Sequence, residues 1–150
     1  MKAKKENKVD FRSQCPVSSA LDIVGDKWTL LLIRDLCFFG KRTFTQFSES
    51  DEKIATNILA DRLKKLEQRG IVTKAKEKGN RKTVVYAITE KGLDLIPVMT
   101  EYILWADKYL HHHIADKAKL FAESLRKNKE LVIRGIASDL KKKDSISTNG

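Results

Sequence analysis

The 150-residue sequence predicts a mainly α-helical fold with one small β-hairpin. Apolar residues recur at helical spacing along most of the chain, whereas apolar and polar residues alternate only in one stretch near residues 83–88. Hydrophobic residues make up 41% of the chain and charged residues 33%, which is enough apolar material for a core beneath an ionised surface. The length suits one domain with appended arms.

The N-terminal half predicts three short helices. Proline suits a first helical position, so the first helix should run over Pro16–Val24 and stop at the following glycine. Asp26 begins a second helix over residues 27–37, in which apolar side chains recur three and four positions apart. Thr43 is a suitable cap for a third helix, Phe44–Ser48.

A fourth helix and a hairpin follow. Over residues 55–69 the apolar side chains form one stripe, and Gly70 should end the helix. Residues 71–78 and 83–88 are typical of two strands, joined by residues 79–82. The tip of this hairpin is therefore expected to be basic.

The C-terminal part predicts two further helices. Thr89 should cap a long helix whose first turn is separate or kinked, because Pro97 lacks the N–H that a helix interior needs. The last helix, about residues 115–142, has a broad apolar face that requires a partner. We expect a basic N-terminal arm at 1–14, a DNA-binding domain at 15–112, and a helical extension with a frayed basic tail at 113–150.

This order of elements is that of a winged helix-turn-helix with flanking dimerisation helices. The net charge is +10, and residues 53–82 alone hold ten basic and three acidic side chains. A polyanion is therefore the expected partner, with an anionic membrane surface as the rival. The longest apolar stretch of the chain, residues 28–33, is too short to span a membrane, and we expect no membrane association.

The fourth helix and the hairpin tip supply the candidate DNA-binding residues. Short side chains suited to base edges come first in the helix, and longer basic ones follow. Asn57 can pair with adenine and Arg62 with guanine, while the hairpin tip should reach the adjacent minor groove or the backbone. The full set is Thr56, Asn57, Ala60, Arg62, Lys64, Lys65, Asn80, Arg81 and Lys82. A lysine-rich helix alone is more often a solvated face, but a basic hairpin in the same segment favours DNA binding.

Three ordered blocks resemble the HxlR-type (MarR-like) winged-helix transcriptional regulators. They are Cys15-Pro16-Val17 with residues 21–28, residues 54–63 with Leu66-Glu67 and 70–72, and residues 86–92 with 95–97 and Trp105. The resemblance implies a prokaryotic homodimer that binds a pseudo-palindromic operator of double-stranded DNA. It further implies that Cys15 is a sensor, because the equivalent cysteine in several relatives responds to electrophiles or oxidants. Beyond Tyr109 the resemblance weakens, since the basic extension looks longer than is usual in the family.

Cys15 and Cys37 are the only cysteines, so the sequence has neither a disulfide framework nor zinc-finger spacing. Cys15 precedes a helix N-terminus and is close to Arg12, a setting that favours a thiolate, so a sensor role and a packing role both remain open. Cys37 is most simply a buried packing residue. His111, His112 and His113 point in different directions at a helix end, so we expect neither a metal site nor a cofactor.

Three functions compete for this pattern. The first is a sequence-specific dimeric transcriptional regulator, a repressor or an activator. The second is an architectural nucleic-acid binder without sequence choice, and the third is a partner-binding module that uses the C-terminal helix. An enzyme is the least expected class, because no convergent set of titratable groups can be assembled. The basic N-terminus leads into no apolar segment, so we expect a cytoplasmic protein.

Overall fold

The computed structural model describes residues 8–148, which form two compact units that divide between Gly92 and Leu93. The boundary at residue 112 that we expected for the DNA-binding domain stays a prediction. Of the expected basic arm, residues 1–7 lie outside the described part of the chain, as do the last two residues of the tail.

The first unit contains the helices predicted for the N-terminal half. They are α1 (Pro16–Val24), α2 (Lys27–Phe38), α3 (Phe44–Ser48) and α4 (Thr56–Gln68). The Asp26 side chain accepts a hydrogen bond from the Thr29 amide and caps α2. Thr43 and Gln46 form a reciprocal capping box at the start of α3. These caps confirm the helix starts that the sequence indicated.

Two antiparallel strands, β1 (Val72–Glu77) and β2 (Asn80–Ile88), form the hairpin. Their register runs from Val72 opposite Ile88 to Lys76 opposite Val84, and then shifts so that Glu77 faces Asn80. The second strand therefore begins three residues before the position that alternation predicted. The reason is a tight turn at Gly79, whose φ of +81° suits glycine, followed by a bulge that absorbs residues 81–83.

One apolar core holds this unit together. It combines buried side chains from α2, α3, α4, both strands and the residue before β1, namely Leu32, Ile33, Leu36, Phe47, Leu59, Leu63, Leu66, Ile71, Val72 and Ile88. The hairpin is also anchored to the segment before α3, since the Tyr86 amide donates to the Arg42 carbonyl at 2.8 Å. The core thus fixes one face of α4 and leaves the opposite face exposed.

A single turn, α5 (Glu90–Leu93), precedes the longer helix α6 (Ile96–Tyr109), which has Pro97 in its first turn. The Gly92 amide donates to the Thr89 hydroxyl at 3.2 Å, as a cap at this threonine requires. These observations confirm that the first turn is separate. Pro97 is tolerated because the first N–H groups of a helix have no partner within it.

The second unit pairs α6 with α7 (Asp116–Thr148). Asn128 interrupts α7 with φ −157° and ψ 84°, and its side chain accepts from the Leu131 amide at 3.1 Å, so it caps the following segment. Asp107 of α6 binds Arg126, and Glu101 binds Lys129. The helix continues beyond its expected end near Lys142, because neither glycine nor proline follows before residue 150.

No helix among residues 8–148 combines the length and the apolar character that crossing a membrane requires.

Candidate nucleic-acid interface

The exposed face of α4 carries the residues expected to read bases. Leu59, Leu63 and Leu66 are buried, whereas Thr56, Asn57 and Ala60 are exposed near the start of the helix. Lys64 is exposed two turns after Asn57 and, at about 100° per residue, lies on nearly the same side of the helix. The structure therefore brings Asn57, Ala60 and Lys64 together on one open surface.

Arg62 lies elsewhere on the helix. Its position is about 140° around the axis from Asn57, on the flank next to the buried stripe. The guanidinium binds Asp26 through Nε at 2.8 Å and Nη2 at 3.3 Å, and it binds Asp61 through Nη1. The hydrogen bonds that Arg62 donates to Asp26 raise the pKa of Arg62 and lower the pKa of Asp26. In the DNA-free protein, this expected base reader is thus engaged by two carboxylates.

Lys65 is exposed and forms an ion pair with Asp61, with Nζ 3.0 Å from Oδ2. This contact lowers the pKa of Asp61. Because the pair is open to solvent, it stabilises the fold little and leaves the ammonium able to turn toward a phosphate. Gln68, which is not among the DNA-binding residues expected from the sequence, is exposed one turn after Lys64. Its position four residues after Lys64 places it on the same side of the helix, and this spacing could have identified it from the sequence.

The hairpin tip divides into structural and exposed groups. The Asn80 side chain donates to the Thr83 hydroxyl at 2.9 Å and accepts from the Lys82 amide at 3.2 Å, so it shapes the bulge. Arg81 and Lys82 have exposed side chains at the tip. Their charges are therefore available to a polyanion, while Asn80 is occupied within the hairpin.

Cys15 is exposed and occupies the N-cap position of α1. Its amide donates to the Ser13 hydroxyl at 3.2 Å, and its carbonyl accepts from the Ser19 amide at 2.9 Å. The nearby cation is engaged elsewhere, because Arg12 donates to Asp22 through both its amide and its side chain. The hydrogen bond from the Arg12 amide, followed by that from its side chain, lowers the pKa of Asp22.

Cys37 is buried, and burial raises the pKa of its thiol to about 12. The packing role expected for Cys37 is thereby confirmed. His111 lies on an exposed turn and approaches Asp107 at 3.0 Å. Among residues 8–148, no group of three or more histidine, cysteine or acidic side chains is arranged to hold a metal ion.

A family model described as HxlR-like helix-turn-helix matches residues 23–114. This chain belongs to the HxlR-like helix-turn-helix family. The match contains all of α2 to α6, including α4 and the hairpin. Cys15 precedes the match, and α7 follows it, so neither the candidate sensor nor the long C-terminal helix is covered.

Individual relatives agree with this assignment. The chain is 36% identical over 100 residues to the uncharacterised HTH-type transcriptional regulator YdeP of Bacillus subtilis, a match covering 67% of this chain and 77% of YdeP. It is 36% identical over 98 residues to the HTH-type transcriptional regulator YodB of the same organism, covering 65% of this chain and 87% of YodB.

Solved structures show the same winged-helix fold. The reduced form of YodB from B. subtilis superposes with a TM-score of 0.52 at 34% identity, covering 65% of this chain and 95% of YodB. The redox regulator HypR in its oxidised form gives a TM-score of 0.56 at 30% identity, covering 63% and 96% of the two chains. The winged helix-turn-helix of this HxlR-family chain is therefore established, and its relatives are transcriptional regulators.

Proposed function

We propose that this HxlR-family protein is a sequence-specific, homodimeric regulator of transcription that inserts α4 into the major groove of an operator. The observation that carries the proposal is the open surface of α4, where Asn57 and Lys64 share one side while buried leucines occupy the other. An amide and short side chains near the helix start are suited to base edges, and the lysine is suited to phosphate.

In this proposal the residues have separate tasks. Thr56, Asn57 and Ala60 approach base edges, and Lys64 and Lys65 hold phosphates. Arg81 and Lys82 bind the backbone or the minor groove beside the recognition site, with Asn80 keeping the hairpin in shape. The operator should be a palindrome, since two copies of α4 related by a two-fold axis read inverted half-sites. A protein with this role works on chromosomal DNA in the cytoplasm.

Exposed apolar helix surfaces support the homodimer. None of the nine described residues of α1 is buried, although Val17 and Leu21 are large and apolar. On α6, exposed apolar and aromatic side chains recur at i, i+4, i+7 and i+11, namely Val98, Tyr102, Trp105 and Tyr109. Aromatic anchors of this kind are enriched where protein surfaces bind each other.

Cys15 is the proposed sensor of an electrophile or oxidant. Its exposure beside an apolar helix that we assign to the dimer contact supports this role, because an adduct there would alter the spacing of the two recognition helices. One similar structure is described as the quinone-bound YodB from B. subtilis, at 34% identity and a TM-score of 0.50. A quinone is therefore the first inducer to test.

Selection of bound fragments from a genomic DNA library by the full chain, followed by footprinting, tests the proposal. A discrete protected palindrome and a large preference over random DNA are expected. Protection that follows charge alone, with equal salt dependence on every sequence, would instead identify the architectural binder that the net charge of +10 also allows.

A further inference from the structure

Arg62 is the most heavily engaged cation on α4. Its guanidinium meets Asp26 side-on, with Nε at 2.8 Å from one oxygen and Nη2 at 3.3 Å from the other, while Nη1 binds Asp61. The Arg62 side chain is only 24% exposed. A two-pronged carboxylate contact of this type fixes direction as well as distance.

The carboxylate of Asp26 accepts hydrogen bonds from two helices, α2 and α4. It caps α2 by accepting from the Thr29 amide at 3.1 Å, and it accepts from Arg62, which is 36 positions later in the chain. The contact therefore ties the start of α2 to the middle of α4. Asp61, in contrast, is the neighbour of Arg62 in α4 itself, so its contact joins nothing beyond that helix.

The position of Arg62 on the helix agrees with a structural task. It lies about 140° from Asn57, beside the buried leucines, whereas Lys64 and Gln68 lie within about 20° of Asn57. To pair with a guanine, Arg62 would have to leave two carboxylates and cross to the other side of the helix. The expectation that it reads guanine conflicts with this arrangement.

We propose that Arg62 is a positioning residue, which with Asp26 sets the rotation of α4 about its axis so that Asn57 and Lys64 face the groove. The inference rests on the proposed function, because it assigns a task within the same recognition surface. It makes Asp26, outside that surface, a determinant of specificity that acts through Arg62.

The chain offers variants that separate this link from the helix cap. Asp26→Ser retains a good N-cap residue but is too short to reach Arg62, and Asp26→Asn retains both the cap and an acceptor oxygen. Asp61→Asn is the matched control, because it removes a carboxylate from the same guanidinium and changes the net charge equally. Arg62→Lys retains the charge but loses the planar guanidinium that binds both oxygens of Asp26.

The measurement is the affinity of each full-length variant for the operator, for every single-base-pair variant of it, and for random DNA. Asp26→Ser and Arg62→Lys should each weaken operator binding about tenfold, flatten preference at all base pairs read by α4, and leave random DNA binding unchanged. The double variant should be no weaker than either single variant, since both remove one contact. Asp26→Asn should lie nearer to wild type than Asp26→Ser, and Asp61→Asn should not lower operator affinity.

Three results would overturn the inference. The first is loss of preference at a single G·C pair in Arg62→Lys while Asp26→Ser binds the operator as wild type does. The second is additive loss in the double variant, and the third is an equal loss in Asp61→Asn. If Asp26→Ser does not fold by circular dichroism, Asp26→Thr takes its place, because threonine is also a good N-cap residue and is also too short to reach Arg62. Equal binding of operator and random DNA by the wild type would refute the proposed function itself. That outcome is distinct from the three above, which refute only the positioning role of Arg62.

Discussion

Asn57 and Lys64 lie on the same side of α4, but their substitution by alanine should affect DNA binding in different ways. Asn57→Ala removes an amide that can pair with one base, so it should cost about 1–3 kcal/mol on the operator and relax preference at one base pair. Lys64→Ala should weaken binding to all sequences alike and reduce the salt slope by about one.

Titrations of operator and random duplexes at several salt concentrations measure both effects. Gln68→Ala is a useful third variant, because Gln68 is exposed one turn after Lys64 without a charge. If Asn57→Ala lost equal affinity for operator and random DNA, the base-reading assignment would be wrong.

The two cysteines should differ in reactivity. Cys15 is exposed, whereas Cys37 is buried with a thiol pKa raised to about 12, so very little Cys37 thiolate exists near neutral pH. With benzoquinone, the Cys15 sulfur should form a bond to a ring carbon. The thiol proton moves to one quinone oxygen and the hydrogen of the attacked carbon moves to the other, which gives the hydroquinone thioether without any further oxidant or reductant. We expect one adduct per chain by mass spectrometry and altered operator affinity.

Cys15→Ser should abolish the adduct and the response, and Cys37→Ser should retain both. The burial of Cys37 also predicts its pH dependence, since labelling of Cys37 should rise only as the pH approaches about 12 or the protein unfolds. Equal quinone responses of wild type and Cys15→Ser would show that the inducer acts elsewhere.

At the scale of elements, substitution by alanine at two glycines should change the free energy of unfolding in opposite directions. A Cβ at Gly92 would lie 2.5 Å from the Ile71 carbonyl oxygen and 2.5 Å from Cγ1 of Ile88, at the junction of the hairpin with α5. A Cβ at Gly135 in α7 meets no atom within 4 Å. Crowding should therefore destabilise Gly92→Ala by about 1–3 kcal/mol.

Gly135→Ala should stabilise the protein by about 0.5–1 kcal/mol, because alanine loses less backbone entropy in a helix. Urea unfolding of the full chain, followed by circular dichroism, measures the free energy of unfolding of both variants. Shifts of the same sign in the two would contradict the packing described for Gly92.

At the scale of the whole molecule, we predict a homodimer in solution. The apolar face of α7, which the sequence indicated needs a partner, is covered only in part within one chain, because Leu125 and Leu140 are buried whereas Leu120 is 64% exposed. The exposed aromatic residues of α6, with Trp105 at 57% and Tyr109 at 60% exposure, add to the surface available for a second copy. Trp105→Ala together with Tyr109→Ala should therefore weaken dimerisation.

Light scattering at micromolar concentration should give twice the mass of one chain for wild type and a lower average mass for the double variant. Footprints should show two half-sites about 34–36 Å apart, one turn of DNA. Leu131→Ala, which alters an exposed residue of α7, is the control. A wild-type monomer, or a half-site separation unrelated to the helical repeat, would refute the dimer.

The order and most of the bounds of the elements were predictable because they depend on neighbours in the chain. Caps at Asp26 and Thr43 act over three residues, and the helical spacing of leucines in α4 repeats within two turns. The basic character of the recognition segment and the hairpin is likewise a property of the sequence. These local signals were sufficient to indicate a DNA-binding winged helix.

What only the tertiary structure decided depends on residues that are far apart in the chain. The Asp26–Arg62 contact spans 36 positions, and it supports the proposal that Arg62 positions α4, whereas the residue type and its place in the helix suggested a contact with guanine. The burial of Leu125 and Leu140 within one chain could not be predicted from the sequence either. An amphipathic pattern identifies the apolar face of a helix but does not identify the helix that covers it. Periodicity specifies local geometry, whereas the partner of a side chain is set by packing across the fold.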